Sequence, residues 1–347
     1  MSESVRPDPP GPEDKAPLVT FFVMAYRQET LVREAIESAF AQTWPNLEII
    51  LSDDNSPDGT FRVMEEMAAA YRGPHRVILN RNRTNLGVCG HIDRIMELSS
   101  GRLIVQNAGD DVSLPERTER VVAAWRASGG RAALIHSLAS LIDDDGVEFG
   151  IKRPSPEVLR NPSASTFIGG SQYILGAASA WRRDVFDVFG PLGRDLGVED
   201  TVIPVRAAIL GEIVHIDAPL VKWRAGGMSY GSREGRRGRD YLYGHRMKVV
   251  RWHARTHSRL AEDLAKVEFP GREACVAAND ARRLRMDFEV ALADSGTMGR
   301  LSMLPRALAT GRRLRDGFFV RQWLKHLLGP VYGVYLDLRY PKERLRW

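Results

Sequence analysis

Cysteine is scarce in this chain: Cys89 and Cys275 stand far apart among 347 residues. Two such residues cannot build a disulfide framework or a cysteine-rich zinc site, and a reducing cytosol is the natural setting. No stretch approaches the roughly 20 consecutive apolar residues needed to cross a bilayer. The longest candidate, Leu327 to Leu336, is short and carries Gly-Pro. The first 16 residues, MSESVRPDPPGPEDKA, contain no apolar run, so they are expected to form a disordered leader rather than a signal peptide.

What is present divides by charge. Residues 1–230 hold 24 Lys+Arg against 31 Asp+Glu, whereas 231–347 hold 25 against 13. A net of −7 followed by +12 points to an acidic domain with a basic extension meeting different partners. With 44% hydrophobic residues the chain has ample material for a core.

Short apolar runs alternate with helical patterns through the first half, the mark of an α/β fold. Strands are predicted over Leu18 to Ala25, Leu47 to Ser52, Val77 to Asn80 and Arg102 to Gln106, with helices over Glu29 to Gln42, Thr60 to Tyr71 and Val88 to Leu98. Right-handed crossovers put the exits of parallel strands on one sheet edge, where such folds bind ligands. Asp53 and Asp54 after the second strand, and Asp110 and Asp111 after the fourth, are thereby expected to share one crevice. Beyond Pro115 a helix is expected, then a strand over AALIHSLASLI and a turn at Asp143 to Gly146. Arg153 to Gly170, rich in Pro, Ser and Gly, reads as a mobile loop near the site. A helix around Arg183 to Phe189, a second through Leu210 and a strand near Ile213 to Ile216 close the domain. The extension reads as basic helices over Tyr241 to Arg255, Arg259 to Val267 and Glu273 to Asp294, with weaker helical segments after Leu301.

Taken singly, each acidic cluster is an ordinary solvated turn or helix cap. Together they suit a diphosphate-bearing ligand. Mg²⁺ or Mn²⁺ takes carboxylate oxygens plus phosphates, Asp110 at a strand exit is a suitable ligand, and Glu199-Asp200 is a carboxylate pair able to accept a proton. His91 and His136, each alone, read as structural, and Trp252, Trp323, Tyr332 and Tyr335 as packing residues.

The segment VMAYRQETLVREAIESAFAQTWPNLEIILSDDNSPDGT resembles the opening of the family 2 inverting glycosyltransferases of GT-A fold. NLGVCGH, GRLIVQNAGDDVSLPERTERV, GVEDT and APLVKWRAGGMS follow in the family's order, so the likeness covers about residues 17–230. It implies a Rossmann-like α/β GT-A domain at 17–230 and leaves 231–347 as a basic, mainly helical C-terminal extension. It also implies single-displacement transfer, with inversion, of a sugar from a nucleotide-diphosphate donor, UDP-linked by expectation, to a glycan or lipid-linked acceptor. Carried over residue by residue, Met24, Ala25, Tyr26 and Glu29 line the donor nucleotide, and Asp54 accepts from the base. Arg83 and Asn85 lie where the family contacts the nucleotide. Asp110, with Asp111, holds the divalent metal (Mn²⁺ or Mg²⁺), and Asp200, or failing that Glu199, is the base.

Three departures stand out: Ala108 replaces the first carboxylate of the Asp-x-Asp motif, WRAGGMS lacks the family's histidine, and Arg27 replaces the asparagine after Tyr26. A sugar nucleotidyltransferase is the first alternative, disfavoured because VMAYRQE is no glycine-rich basic loop. A non-catalytic nucleotide-sugar or glycan-binding module is the second, encouraged by Ala108. No nucleic-acid partner is expected. The basic extension suits peripheral association of a cytoplasmic enzyme with an anionic membrane surface, and SREGRRGRD (232–240) suits a loop closing over the donor diphosphate or over an anionic acceptor.

Overall fold

The computed structural model describes residues 16–169, 173–197, 199–225, 246–314 and 316–328. The 1–16 leader therefore lies almost wholly outside the described residues, as do the 232–240 loop and Tyr332 and Tyr335. The chain divides into two units, one of residues 1–229 with 262–275, the other of 230–261 with 276–347. The first takes in the short segment Glu262–Cys275 from within the basic extension.

In the first unit, β1 (Val19–Ala25), α1 (Val32–Phe40), β2 (Leu47–Asp53), α2 (Thr60–Ala70), β3 (Arg76–Arg81), α3 (Gly87–Leu98) and β4 (Leu103–Ala108) alternate as expected. The short β5 (Val112–Ser113), α4 (Arg117–Ala127), and the hairpin of β6 (Ala132–Ile142) and β7 (Glu148–Lys152) follow. Then come α5 (Pro156–Arg160), α6 (Ala164–Ile168), a 3₁₀ turn at Gly176–Ala178, β8 (Ser179–Arg182), α7 (Asp184–Asp187), α8 (Val202–Leu210) and β9 (Glu212–Arg224). The strands form one mixed sheet in the order β3-β2-β1-β4-β8-β6-β9-β5, with β7 on β6. β3, β2, β1 and β4 are parallel, and β8 enters antiparallel between β4 and β6.

Burial explains the sequence pattern. β1 and β2 are covered on both faces, so their apolar runs are continuous and Phe21, Phe22, Ile49 and Ile50 are fully buried. β3 is the edge and is partly exposed. Helix α1 turns Val32, Ala35, Ile36 and Ala39 onto the sheet. Three expectations change. The segment read as a mobile loop at 153–170 contains α5 and α6, with Val158, Phe167 and Ile168 buried. Ser155 accepts from the Val158 amide ahead of Pro156, so Ser-Pro acts here as a helix start rather than a loop signal. The last strand runs on to Arg224, well past Ile216. And β8 escapes sequence reading, because four residues are too few to show a period.

Arg206 and Asp263 form an ion pair in the first unit with no solvent exposure on either side chain. The guanidinium bonds both carboxylate oxygens, at 2.7 and 3.2 Å, and the Gly190 carbonyl at 2.7 Å. Removing one partner leaves the other charge buried. Asp263→Ala is therefore expected to cost about 3–5 kcal/mol in urea unfolding, and a loss below about 1 kcal/mol would contradict this.

The extension is helical: α9 (Met247–Lys266), α10 (Arg272–Asp294), α11 (Thr297–Ser302), α12 (Leu304–Leu314) and α13 (Phe318–Leu327). The two helices expected at 241–255 and 259–267 are, where described, one continuous helix, α9. The second unit has its own core of Phe288, Leu292, Ala307, Phe319 and Trp323. Among the described residues no helix is long and apolar enough to cross a membrane.

Candidate active site

Hydrogen bonds across the exits of β1, β2 and β4 bring both acidic clusters to one edge. The Asp54 amide donates to the Ala25 carbonyl at 3.0 Å and the Gly109 amide to the Met24 carbonyl at 2.8 Å. Met24, Ala25 and Tyr26 thus lie between Asp54 on one side and the Gly109–Asp111 turn on the other. Arg27, at φ +58°, turns the chain here, and its guanidinium lies 5.2 Å from the Tyr26 ring centre.

Asp54 is buried and anchors a helix start. Its carboxylate accepts from Asn82 Nδ2 at 2.8 Å, the Leu86 amide at 2.8 Å and the Gly87 amide at 2.9 Å. The last two are orphan donors at the N-terminus of α3, so the acid caps the helix from a distant segment and meets its dipole favourably. Asn85 reaches the Asp54 carbonyl at 3.3 Å, and Arg83 is exposed on the same connection. Glu29 faces α2: it accepts from the Gly59 amide at 2.9 Å and pairs with Arg62 at 3.2 Å.

The Asp110-Asp111 turn is pinned by Arg224, at the end of β9. The Arg224 amide donates to Asp111 Oδ1 at 2.9 Å, and its Nε to the Asp110 carbonyl at 3.1 Å. Its Nη1 reaches the Asp143 and Asp144 carbonyls at 2.6 and 2.7 Å, and its Nη2 reaches Glu34 at 2.9 Å. Burial, then Asp110 beside it, pushes the Asp111 carboxyl well above the usual carboxylate range. Asp111 is thereby drawn toward its neutral form, with its Oδ1 engaged by the Arg224 amide. No group of three or more His, Cys, Asp or Glu able to hold a metal occurs among the described residues.

Glu199 and Asp200 precede α8, and Glu199 docks on the strand that leads to Asp110. Gln106 Nε2, four residues before Asp110, donates to Glu199 Oε1 at 2.9 Å. Gly176 leaves room for this, since a Cβ there would stand 2.2 Å from Glu199 Oε1. Burial, then the neighbouring Glu199, raises Asp200 to about 7. Glu199 and Asp200 also help raise the buried Cys89 thiol, after burial itself, so α3 faces the pair as well as Asp54. His91 bonds Ser52 Oγ at 2.6 Å and is pushed down to about 4 by burial.

Sequence reading missed Gln106, Gly176 and Arg224 as site-forming residues. Gln106 carried a faint signal, being a polar residue inside a buried strand. Gly176 carried none, and Arg224 stood only within the WRAGGMS segment with no role assigned, because their partners lie 23 and more residues away.

Residues 20–175 match the family described as glycosyl transferase family 2. A putative glycosyltransferase EpsE of Bacillus subtilis is 36% identical over 110 residues, 32% of this chain and 39% of that protein. The chain thus spans well under half the length of this curated relative. The crystal structure of S. aureus TarS 1-349 aligns with a TM-score of 0.55 at 11% identity, over 89% of this chain and 90% of that one. The same S. aureus protein in complex with UDP-GlcNAc aligns at 0.50 and 13%, over the same shares. The ordered acidic clusters, the mixed sheet and the matched residues make this chain similar to glycosyl transferase family 2 over residues 20–175, and its fold is of GT-A type.

Proposed function

We propose that the first unit transfers a sugar from a nucleotide-diphosphate donor, a UDP-sugar, to a hydroxyl of a glycan or lipid-linked acceptor, with inversion. One observation carries this reading. A carboxyl raised to about 7 sits beside Glu199, and Glu199 is held by Gln106 on the strand that leads to Asp110. A base of that strength is matched to removing a hydroxyl proton near neutral pH. The acceptor oxygen attacks the anomeric carbon, its proton passes to Asp200, and the bond to the diphosphate oxygen breaks with its electron pair leaving on the nucleoside diphosphate. Inversion follows from a single displacement. A non-catalytic binding module would have no use for a carboxyl poised in this way.

The donor side rests on Asp54, Tyr26 and the backbone between them. A carboxylate offers about four lone-pair positions, and three of Asp54's are taken, so one remains for a base N–H. Complexation of UDP-GlcNAc by a protein of the same fold agrees with a UDP-linked donor. A divalent cation fits with Asp110 as the protein carboxylate, since Mg²⁺ is commonly held by one or two carboxylates plus phosphates. Bound there, it would neutralise charge on the departing diphosphate. Ala108 removes the other carboxylate the family pattern leads one to expect.

The second unit supports peripheral contact with an anionic membrane surface. Met298, Leu301, Leu308 and Leu324 are exposed on helices that also carry Arg306, Arg312, Arg321 and Lys325.

Donor binding is testable on the fold itself. UDP at a hundredfold excess over its Kd is expected to add about 2.7 kcal/mol of stability, read as a rise in Tm. Asp54→Asn is expected to weaken UDP about tenfold or more, the loss of one hydrogen bond to a charged group. If neither UDP nor any other nucleoside diphosphate stabilises the protein at millimolar concentration, the transfer reading fails.

A further inference from the structure

A cavity of about 210 Å³ opens in the first unit, lined by His136, Ser137, Lys152, Arg153, Tyr173 and Leu175 among others. None of these belongs to the donor side described above. Its position is set by the 3₁₀ turn at Gly176–Ala178. Leu175 forms one wall, and the next residue, Gly176, is the one over which Glu199 lies. The cavity and Glu199, the sequence neighbour of Asp200, thus lie on either side of a single residue of backbone.

The lining has a definite chemistry. The His136 ring packs on that of His215, with centroids 4.7 Å apart, and burial pushes His136 down to about 3. The floor is therefore polar but uncharged at neutral pH. Positive charge comes from the rim. Lys152, the last residue of β7, holds its ammonium 5.5 Å from the Tyr173 ring centre, and no ion-pair partner faces it among the described residues. Arg153 pairs with Asp217 at 3.4 Å, its one ion pair among the described residues, with both side chains largely exposed, a contact worth little. Tyr173 presents an accessible aromatic face at the mouth. An aromatic platform beside two lightly engaged cations suits a sugar ring that carries an acidic group.

We infer that this cavity is the acceptor subsite, and that it takes a saccharide bearing a negative charge, a phosphate or a carboxylate, with Lys152 and Arg153 on the anion and Tyr173 against the ring. The assignment rests on the transfer reading above, because Glu199 across that backbone, the sequence neighbour of Asp200, gives the site its purpose.

The test uses the full chain with UDP held at saturation, so that the donor side cannot be the receptor. Glucose 6-phosphate, methyl β-glucuronide and neutral methyl β-glucoside are compared by saturation-transfer NMR. At least one anionic sugar is expected to bind and the neutral one to bind at least tenfold more weakly; the phosphate and carboxylate arms identify which anion is preferred. Lys152→Ala is expected to weaken the preferred sugar about tenfold, Lys152→Ala with Arg153→Ala to abolish binding, and Tyr173→Ala to weaken it while leaving UDP affinity unchanged. Equal binding of the neutral sugar, or unchanged binding in the double variant, would overturn the inference. So would UDP binding with no anionic sugar bound. Sugar binding that depends on Lys152, in a protein that binds no nucleotide, would leave the cavity assigned and sink the transfer reading instead.

Discussion

Asp200→Asn is expected to lower kcat by about 10²–10⁴-fold while leaving the Kd for UDP unchanged. Asparagine keeps the shape of the side chain and loses only the ability to take a proton. In the unsubstituted protein kcat/KM should rise with pH through about 7, as Asp200 gives up its proton and becomes a base. The same residue makes a second, opposite prediction about stability. Its folded value lies above the unfolded one near 3.8, so between these limits the native state binds the extra proton. Stability therefore falls as pH rises through that window, and below it the group contributes nothing. Asp200→Asn removes the penalty. The variant should unfold at higher urea at pH 8, by about 1–3 kcal/mol after allowing for partial solvation, and match the unsubstituted protein near pH 3.5. A purely structural Asp200 would not combine lost turnover with gained stability at high pH. Retained turnover in Asp200→Asn would remove the base from the mechanism.

Arg224→Ala is the second large effect. This side chain is buried and holds the Asp110 carbonyl, the Asp143 and Asp144 carbonyls and Glu34 together. Its loss strands three carbonyls and one end of an ion pair, at an expected cost of about 3–5 kcal/mol. Arg224→Lys should recover only part of this, because a single ammonium cannot span acceptors that the forked guanidinium reaches at once. With the Asp110 turn loosened, half-saturation by Mn²⁺ or Mg²⁺ should need about tenfold more metal, a cost of about 1.4 kcal/mol. A stability loss below about 1 kcal/mol would show that the turn is held by other contacts.

The legible part of this protein is the part built from short-range pattern. β1, β2, β4 and α1 to α3 declared themselves because each buries one face or two at a regular period, while β3, the partly exposed edge, showed only its short apolar run. The crevice was inferable too, since right-handed crossovers put the Asp53-Asp54 and Gly109–Asp111 exits on one sheet edge, on either side of β1. The 153–170 segment misled because Pro and Ser punctuate helix starts as well as loops. The seam between the units did not follow charge: Glu262–Cys275 joins the first unit inside a basic stretch, drawn by the Arg206–Asp263 pair that no local pattern announces.

By itself the sequence determined the sheet's parallel half, the edge on which the acids collect and the family that residues 20–175 resemble. Only the tertiary structure decided what each acid does. Asp54 is a cap for α3, Asp111 is drawn toward its neutral form by burial and Asp110 against the opposing pull of Arg224, and Asp200 is raised to about 7 by burial and then by Glu199. The physical reason is that a carboxylate's proton affinity depends on burial and on partners contributed by distant segments. Arg224 lies 113 residues from Asp111, and Gln106 lies 93 from Glu199.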